Sequence, residues 1–559
     1  MDDRHFEFWP RGVPRELAPL ETTVWDNLAV AARRFPAKPA IIYYDSVVTY
    51  GRLNAEVGRL AGYLAGPLGV TRGDRVLLFM QNAPQFVAGY YAILRADAVV
   101  VPVNPMSRTE EVRHIAEDAG ARIVLCGQEL ADAVRPLIEA GILGTAIVAA
   151  YGDYATGPTD LPLPAEVAAP AGPVEGDGFV AWRDALDAGL EPGPHLATAD
   201  DWCTIPYSSG TTGAPKGCLH THRSVMASVN AYANWNPLPP AAVSLASLPL
   251  FHVTGMQSAM NLIVYAGATM VIMTRWDRRA AAMLIARHRV SHWRSITTMA
   301  IDFLADPDAA GHDLSSLTSI GGGGAQMPRA VAERFRALTG LDYVEGYGLS
   351  EAIAATHVNP PHRPKLQCLG IPLFGVDSRI VDPETLAELG AGEVGEIVVA
   401  GPQLFAGYWN RPDATAEAFF ERDGRRFLRT GDLGYRDEEG YYFLVDRLKR
   451  MINASGYKVW PAEVEAMLHG HPEIREACVI AAADARRGET VKAVVVARDP
   501  ARPPAPEDIQ AWCRERMASY KVPRIVAIAP SLPRSGSGKV LWRVLQDQEN
   551  AGGTEACSI

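Results

Sequence analysis

Hydrophobic and polar positions in the first quarter of the chain follow two alternating periods. Apolar residues recur at helical spacing over 22–35, 53–64, 85–96 (directly after Pro84) and 110–119. Between and after these segments lie short runs at 40–44, 75–80, 99–103 and 122–125, apolar throughout apart from an opening Arg75 and Arg122. A strand that is apolar at every position is covered on both faces. The pattern therefore predicts an α/β fold with a largely parallel sheet between helices. Residues 151–200 are rich in Pro, Gly, Ala and Asp and read as an irregular surface excursion. The alternation resumes at Trp202 and continues through apolar runs at 243–248 and 269–273. From about 370 the texture changes to short β runs, such as 395–399 and 440–445, separated by turns, which predicts a small β-rich unit. Two βα-like passages follow Arg450, and a polar tail begins at 546.

At 559 residues the chain exceeds what one hydrophobic core organises. Fifty Gly and 41 Pro imply many tight turns without reaching a disordered composition. Lys and Arg number 53 against 64 Asp and Glu, a net charge of −11, and no long basic run is present. This argues against nucleic acid as a partner, so an anionic ligand must be held by a local device. Seven cysteines (126, 203, 218, 368, 478, 513 and 557) are odd in number and form no CxxC pair. They speak against a disulfide framework or a zinc ribbon and for a reducing compartment. The start, Met1 to Glu7, lacks the basic and apolar regions of a signal peptide. The most apolar stretches, around 86–103 and 259–273, fall short of the roughly 20 apolar residues that span a bilayer. A soluble, cytoplasmic protein is expected.

The local device is the string Tyr207-Ser208-Ser209-Gly210-Thr211-Thr212-Gly213-Ala214-Pro215-Lys216-Gly217. Its glycines let backbone N–H groups crowd towards an anion. The hydroxyls of Ser208, Ser209, Thr211 and Thr212 add donors, and Lys216 adds charge. The chemistry suits a polyphosphate, yet the spacing is not that of a Walker A loop.

This string resembles the phosphate-binding signature of the adenylate-forming superfamily, which comprises acyl-CoA synthetases, nonribosomal-peptide adenylation domains and firefly luciferase. The resemblance spans about 20 to 545, with the other motifs in order. Phe251-His252-Val253-Thr254-Gly255 resembles the segment lining the entry of the carboxylate substrate, with His252 near the acyl phosphate. No Asp stands between Leu248 and Gly255, which argues against an α-amino acid. Gly321-Gly322-Gly323-Gly324-Ala325-Gln326 resembles the segment whose backbone packs on adenine; the family more often has Pro where Gln326 stands. Gly346-Tyr347-Gly348-Leu349-Ser350-Glu351 is not a dinucleotide fingerprint, because Glu351 occupies the third glycine position. The resemblance instead implies that Tyr347 stacks on adenine, Ser350 reaches the α-phosphate, and Glu351, with Thr212, holds Mg²⁺. It also places Thr254, Gly323 and Gly348 beside His252 in an acyl pocket.

Arg429-Thr430-Gly431-Asp432 resembles the ribose-binding motif, with Asp432 as acceptor. Asp446-Arg447-Leu448-Lys449-Arg450 resembles the interdomain hinge, with Arg447 on the nucleotide and Lys449 near the pivot. Ser455-Gly456-Tyr457 resembles the loop that meets the CoA thiol arm, and Asn453 stands where some relatives carry Lys. Pro533-Arg534-Ser535-Gly536-Ser537-Gly538-Lys539 resembles the loop of the catalytic lysine, Lys539. The implied organisation is an N-terminal domain at 1–446, with the β-rich subdomain at about 370–446, a hinge at 447–450, a mobile domain at 451–545 and a tail at 546–559. The implied activity is ligation of a carboxylic acid to CoA at the expense of ATP, with Mg²⁺, through an acyl adenylate. A medium- or long-chain fatty acid is the leading substrate. An aryl acid and a separate carrier protein as acceptor are the alternatives; the intact set Lys216, Glu351, Asp432, Arg447 and Lys539 speaks against a catalytically dead homologue, and a homodimer is left open.

Overall fold

The apolar runs assemble into two large sheets in the computed structural model, which describes residues 4–208, 215–306, 308, 311–454, 457–484, 488–534 and 540–551. Contacts divide the chain into two compact units, Met1–Asp377 with Val399–Leu428, and Ser378–Val398 with Arg429–Ile559.

In the first unit, one nine-stranded sheet runs in the order Ile371–Pro372, Ala354–Val358, Tyr343–Leu349, Ser319–Gly323, His292–Ser295, Val243–Ala246, Thr269–Ile272, Pro39–Tyr43, Ser46–Thr49. Its six middle strands, from Tyr343–Leu349 to Pro39–Tyr43, pair parallel. The second nine-stranded sheet holds Arg75–Phe79, Val99–Pro102 and Ile123–Gly127 at its parallel centre. One margin is formed by Lys216–Thr221 and Gly407–Tyr408. Helix Pro84–Arg95 is buried from Pro84 to Leu94, and its core cluster contains Leu78 of one sheet and Leu245 of the other. A helix apolar on all sides is the element that can lie between two sheets. Pro84 suits its first turn, where an N–H would have no helical partner.

The segment 151–200 is less of an excursion than its composition implies. Phe179–Ala181 is an edge strand pairing parallel with Thr145–Ala149. Tyr151, Tyr154 and Trp182 are buried in the main core. A few aromatic anchors outweigh the surrounding Pro and Gly, because each buries a large apolar area.

In the second unit, residues 432–436 pair antiparallel with Tyr442–Arg447. Beyond it, Ile474–Asp484 and Gly488–Ala497 form a long antiparallel pair within a five-stranded sheet. Ile525–Ile528 adds parallel to Gly488–Ala497, and helices Pro461–His469, Pro506–Arg514 and Trp542–Asn550 complete the unit. Among the described residues no helix is long and apolar enough to cross a membrane. Six cysteines are free and buried.

Candidate active site

The ends of the glycine-rich string form a hairpin: Ser208 is opposite Lys216, and Tyr207 is opposite Gly217. Ser209, Gly210, Thr211, Thr212 and Gly213, predicted to cradle phosphate, lie outside the described residues, as do Ser455, Gly456 and Lys539. The side chains of Lys449 and Tyr457 do so too. What is described is the base of the hairpin and its anchors. Ser208 Oγ donates to the Lys216 carbonyl at 3.3 Å. The Tyr207 hydroxyl donates to Asp118 at 2.7 Å, and Arg411 donates to the other carboxylate oxygen at 2.8 Å. Trp409 and Asn410 donate to the Asp118 backbone carbonyl. Asp118, unremarked in the sequence, thus ties the hairpin base to the turn after Gly407–Tyr408.

That turn organises the charged groups. The Lys216 strand pairs antiparallel with Gly407–Tyr408, Cys218 opposite Tyr408. Lys216 Nζ lies 5.0 Å from the centre of the Tyr408 ring, a cation–π distance. The Tyr408 hydroxyl donates to Glu351 Oε1 at 2.8 Å, and Phe405 N donates to the Glu351 carbonyl at 2.8 Å. Burial and the Glu351 carboxylate push the Tyr408 pKa up, so the phenol keeps the proton it donates. Two predicted residues, Lys216 and Glu351, are therefore joined through a third that the sequence did not mark.

Ser350 is positioned from the same strand. His220 Nε2 lies 2.8 Å from the Ser350 carbonyl. Burial lowers the His220 pKa from 6.5 to about 4, so the ring is neutral at pH 7. A neutral ring meets a carbonyl as an Nε2–H donor, which fixes the tautomer. After Ser350–Ala352 the backbone enters positive φ at Ile353 (45°) and Ala354 (116°). Such conformations persist only where surroundings impose them. Here a Cβ on Gly348 would stand 1.8 Å from the Ala354 carbonyl, so glycine is required for the two strands to approach.

Tyr347 is buried, with its ring 5.7 Å from that of His357. The segment Gly324–Gln326 is exposed, and Thr297 Oγ1 donates towards the carbonyls of Ala325 and Gln326 at 3.3 Å each. Its far end is held by Glu345, which accepts the Met327 N–H at 2.9 Å and the Gln367 N–H at 2.7 Å. Burial, outweighing these bonds, raises the Glu345 pKa from 4.5 to about 7. His252 caps the short helix Val253–Gly255, its Nδ1 accepting from Thr254 N at 3.4 Å. A π-helical stretch, Met256–Asn261, follows.

In the second unit, Arg447 and Asp432 face each other in register, and Arg447 Nε lies 2.9 Å from Asp432 Oδ1. Glu396 shapes the turn before Asp432 by accepting from Gly431 N and Arg429. Asp446 accepts from Arg447 N and Ala462 N. Asp118, His220, Glu345 and Tyr408 were missed by sequence reasoning; each is a single polar residue whose partner is distant in sequence.

A profile for the AMP-binding enzyme family matches residues 28–409, and one for the AMP-binding enzyme C-terminal domain matches residues 463–539. The chain belongs to the AMP-binding enzymes. It is 34% identical to a long-chain-fatty-acid–CoA ligase of Bacillus subtilis over 556 residues, covering 97% of each chain. It is also 34% identical to a feruloyl-CoA synthase of Amycolatopsis, covering 91% of this chain and 96% of that one. Among solved structures it resembles an o-succinylbenzoate coenzyme A synthetase from Bacillus subtilis, in complex with ATP and magnesium ion. That match has a TM-score of 0.80 and 27% identity, over 95% of this chain and 100% of the other.

The Glu345 carboxyl gives a pH test of the loop it holds. Between pH 4.5 and 7 the folded protein keeps a proton that the unfolded chain has released. Its contribution to stability is therefore full below 4.5 and is lost as pH rises through about 7. Urea denaturation of Glu345→Gln and the wild type at several pH values should show the variant gaining on the wild type across that window. A difference that does not change with pH would refute the assignment.

Proposed function

We propose that the chain is an AMP-forming acyl-CoA ligase acting in the cytoplasm on a carboxylic acid, with a medium- or long-chain fatty acid as the first substrate class. The observation that carries this reading is the grouping of Lys216, Tyr408 and Glu351 beside Ser350 at the base of the glycine-rich hairpin. An aryl acid is the second reading, supported by the similarity to a feruloyl-CoA synthase.

A carboxylate is a poor acyl donor because oxide is a poor leaving group; attaching AMP to it creates a mixed anhydride. One anion must attack another, so fixed positive charge around both lowers the barrier. The chain offers Lys216 and the hairpin N–H groups to the departing pyrophosphate, and the Ser350 hydroxyl to the α-phosphate. Lys539 brings its ammonium to the reacting oxygens. Tyr347 and the backbone of 324–326 receive adenine, and Asp432 and Arg447 receive the ribose. Glu351 offers a hard carboxylate oxygen, and no group of three or more His, Cys, Asp or Glu among the described residues could cage a metal. That donor set suits Mg²⁺, which keeps waters and shares substrate phosphates. When bound, Mg²⁺ supplies charge neutralisation at the phosphates. For the second half-reaction, Ser455, Gly456 and Tyr457 meet the CoA arm, and movement about Lys449 in a hinge at 447–450 exchanges the groups presented to one reacting carbon.

The test is AMP formation from MgATP, with and without CoA, across acetate, octanoate, palmitate, benzoate and a cinnamate. CoA-dependent AMP with one class is the expected result. Pyrophosphate release without CoA-dependent turnover would point to a carrier protein, and silence with every acid would overturn the reading. In the same assay Lys539→Ala should cripple adenylate formation and spare thioester formation from supplied acyl adenylate; equal loss of both steps would remove Lys539 from the first.

Tyr408→Phe keeps the ring beside Lys216 and removes the donor to Glu351. Loss of about 1.4 kcal/mol, or roughly tenfold in kcat/KM for MgATP, is expected. Tyr408→Leu, which removes both contacts, should lose more. Wild-type kinetics in the Phe variant would show that Glu351 does not need this hydroxyl.

A further inference from the structure

The central strand of the first sheet carries a charge without a counter-ion among the described residues. Arg294 stands on His292–Ser295, fifth of nine strands, yet part of its surface remains open. Its buried Nη1 has no hydrogen-bond partner, and it forms no ion pair among the described residues. Its electrostatic neighbours include Tyr232 and Tyr343. Burial raises both phenol pKa values, that of Tyr232 to about 12, and lowers that of His292 to about 4, so all three are neutral at pH 7. A guanidinium stays charged in proteins, and a buried charge without a counter-ion is strongly unfavourable.

The position of Arg294 says where a counter-ion could come from. It is in register with Gly321, which is in register with Val344; Gly323 is in register with Gly346. Alternate residues of a strand share a face, so Arg294, Gly321, Gly323, Val344, Gly346 and Gly348 line one side of the sheet. A Cβ on Gly321 would lie 3.0 Å from Arg294 Nη1, so the guanidinium reaches over that glycine, on a face where Val344 supplies a side chain among the glycines. Ligands of open α/β sheets enter at the carboxyl ends of the strands. Gly321 is two residues, about 6.6 Å, further in than Gly323.

We propose that Arg294 binds a second carboxylate at the far end of the acid, so that within the medium-chain class an aliphatic dicarboxylic acid is preferred over the matching monocarboxylic acid. The proposal rests on the reading above that Gly323 and Gly348 wall the acid pocket. The planar fork of an arginine matches a carboxylate with two parallel hydrogen bonds, which an ammonium cannot reproduce.

The experiment pairs octanoate with octanedioate and decanoate with decanedioate, in AMP formation and in calorimetric binding, for the wild type, Arg294→Met and Arg294→Lys. The wild type should favour each diacid at least tenfold in kcat/KM. Arg294→Met should invert that preference and lose diacid binding, with Arg294→Lys between them. Without ligand, Arg294→Met should also melt above the wild type, because an uncompensated charge has gone; a structural arginine would give a lower Tm. Indifference of the wild type to the second carboxylate, or an unchanged ratio in Arg294→Met, would overturn the proposal. Diacid binding that Arg294→Met abolishes, in an enzyme forming AMP from no acid, would retain the subsite and discard the ligase reading.

Discussion

Most of the candidate site in the first unit hangs on one strand, Lys216–Thr221, and on its pairing with Tyr207–Ser208 and with Gly407–Tyr408. One pairing sets the base of the glycine-rich hairpin, and the other brings the Tyr408 ring to Lys216 and the Tyr408 hydroxyl to Glu351. Four residues beyond Lys216, His220 turns to the Ser350 carbonyl. Strand geometry couples these contacts: a slip of one residue would send Lys216, Cys218 and His220 to the opposite face together. Gly217 permits the tight packing, since a Cβ there would stand 2.6 Å from Ile205.

The electrostatics favour one arrangement over a simpler one. Lys216 and Glu351 carry opposite charges, yet among the described contacts each meets Tyr408. A direct ion pair would spend both charges on each other and would have to be broken when a nucleotide arrived. A neutral phenol holds each weakly enough to be exchanged. Its raised pKa keeps it a donor throughout the physiological range. The same economy holds at His220, where an imidazole neutral at pH 7 fixes a carbonyl without adding charge near the glycine-rich hairpin.

The parallel sheet was legible because strands covered on both faces are apolar at every position, and helix Pro84–Arg95 because it announces its start with proline. The glycine-rich and acidic motifs were legible because their chemistry is contiguous in sequence. Tyr408, His220 and Asp118 were not, because their partners lie 57, 130 and 89 positions away and nothing local distinguishes them. Glu345 was hidden differently: an acidic residue in a strand reads as solvent-facing until its two oxygens are found on backbone N–H groups of separate loops. Trp182 and Tyr151 were masked by a composition that signals a loop, though burial of a few aromatics decides where such a segment lies.

The glycines of Ser319–Gly323 and Tyr343–Leu349 also bear on how such an enzyme can change. A Cβ would stand 1.8 Å from the Ser295 carbonyl at Gly322, 2.4 Å from the Gly346 carbonyl at Gly323, and 1.8 Å from the Ala354 carbonyl at Gly348. Each obstacle is backbone, which cannot step aside as a side chain can. Point mutation therefore has almost no purchase on these strands, and on the proposed reading that Gly323 and Gly348 wall the acid pocket, adaptation to a new acid would come from residues that look across at them or stand at their margins. The sheet would act as a fixed gauge against which the rest of the cavity is retuned, so that divergence in substrate concentrates in a few neighbouring positions while the reacting geometry is inherited unchanged.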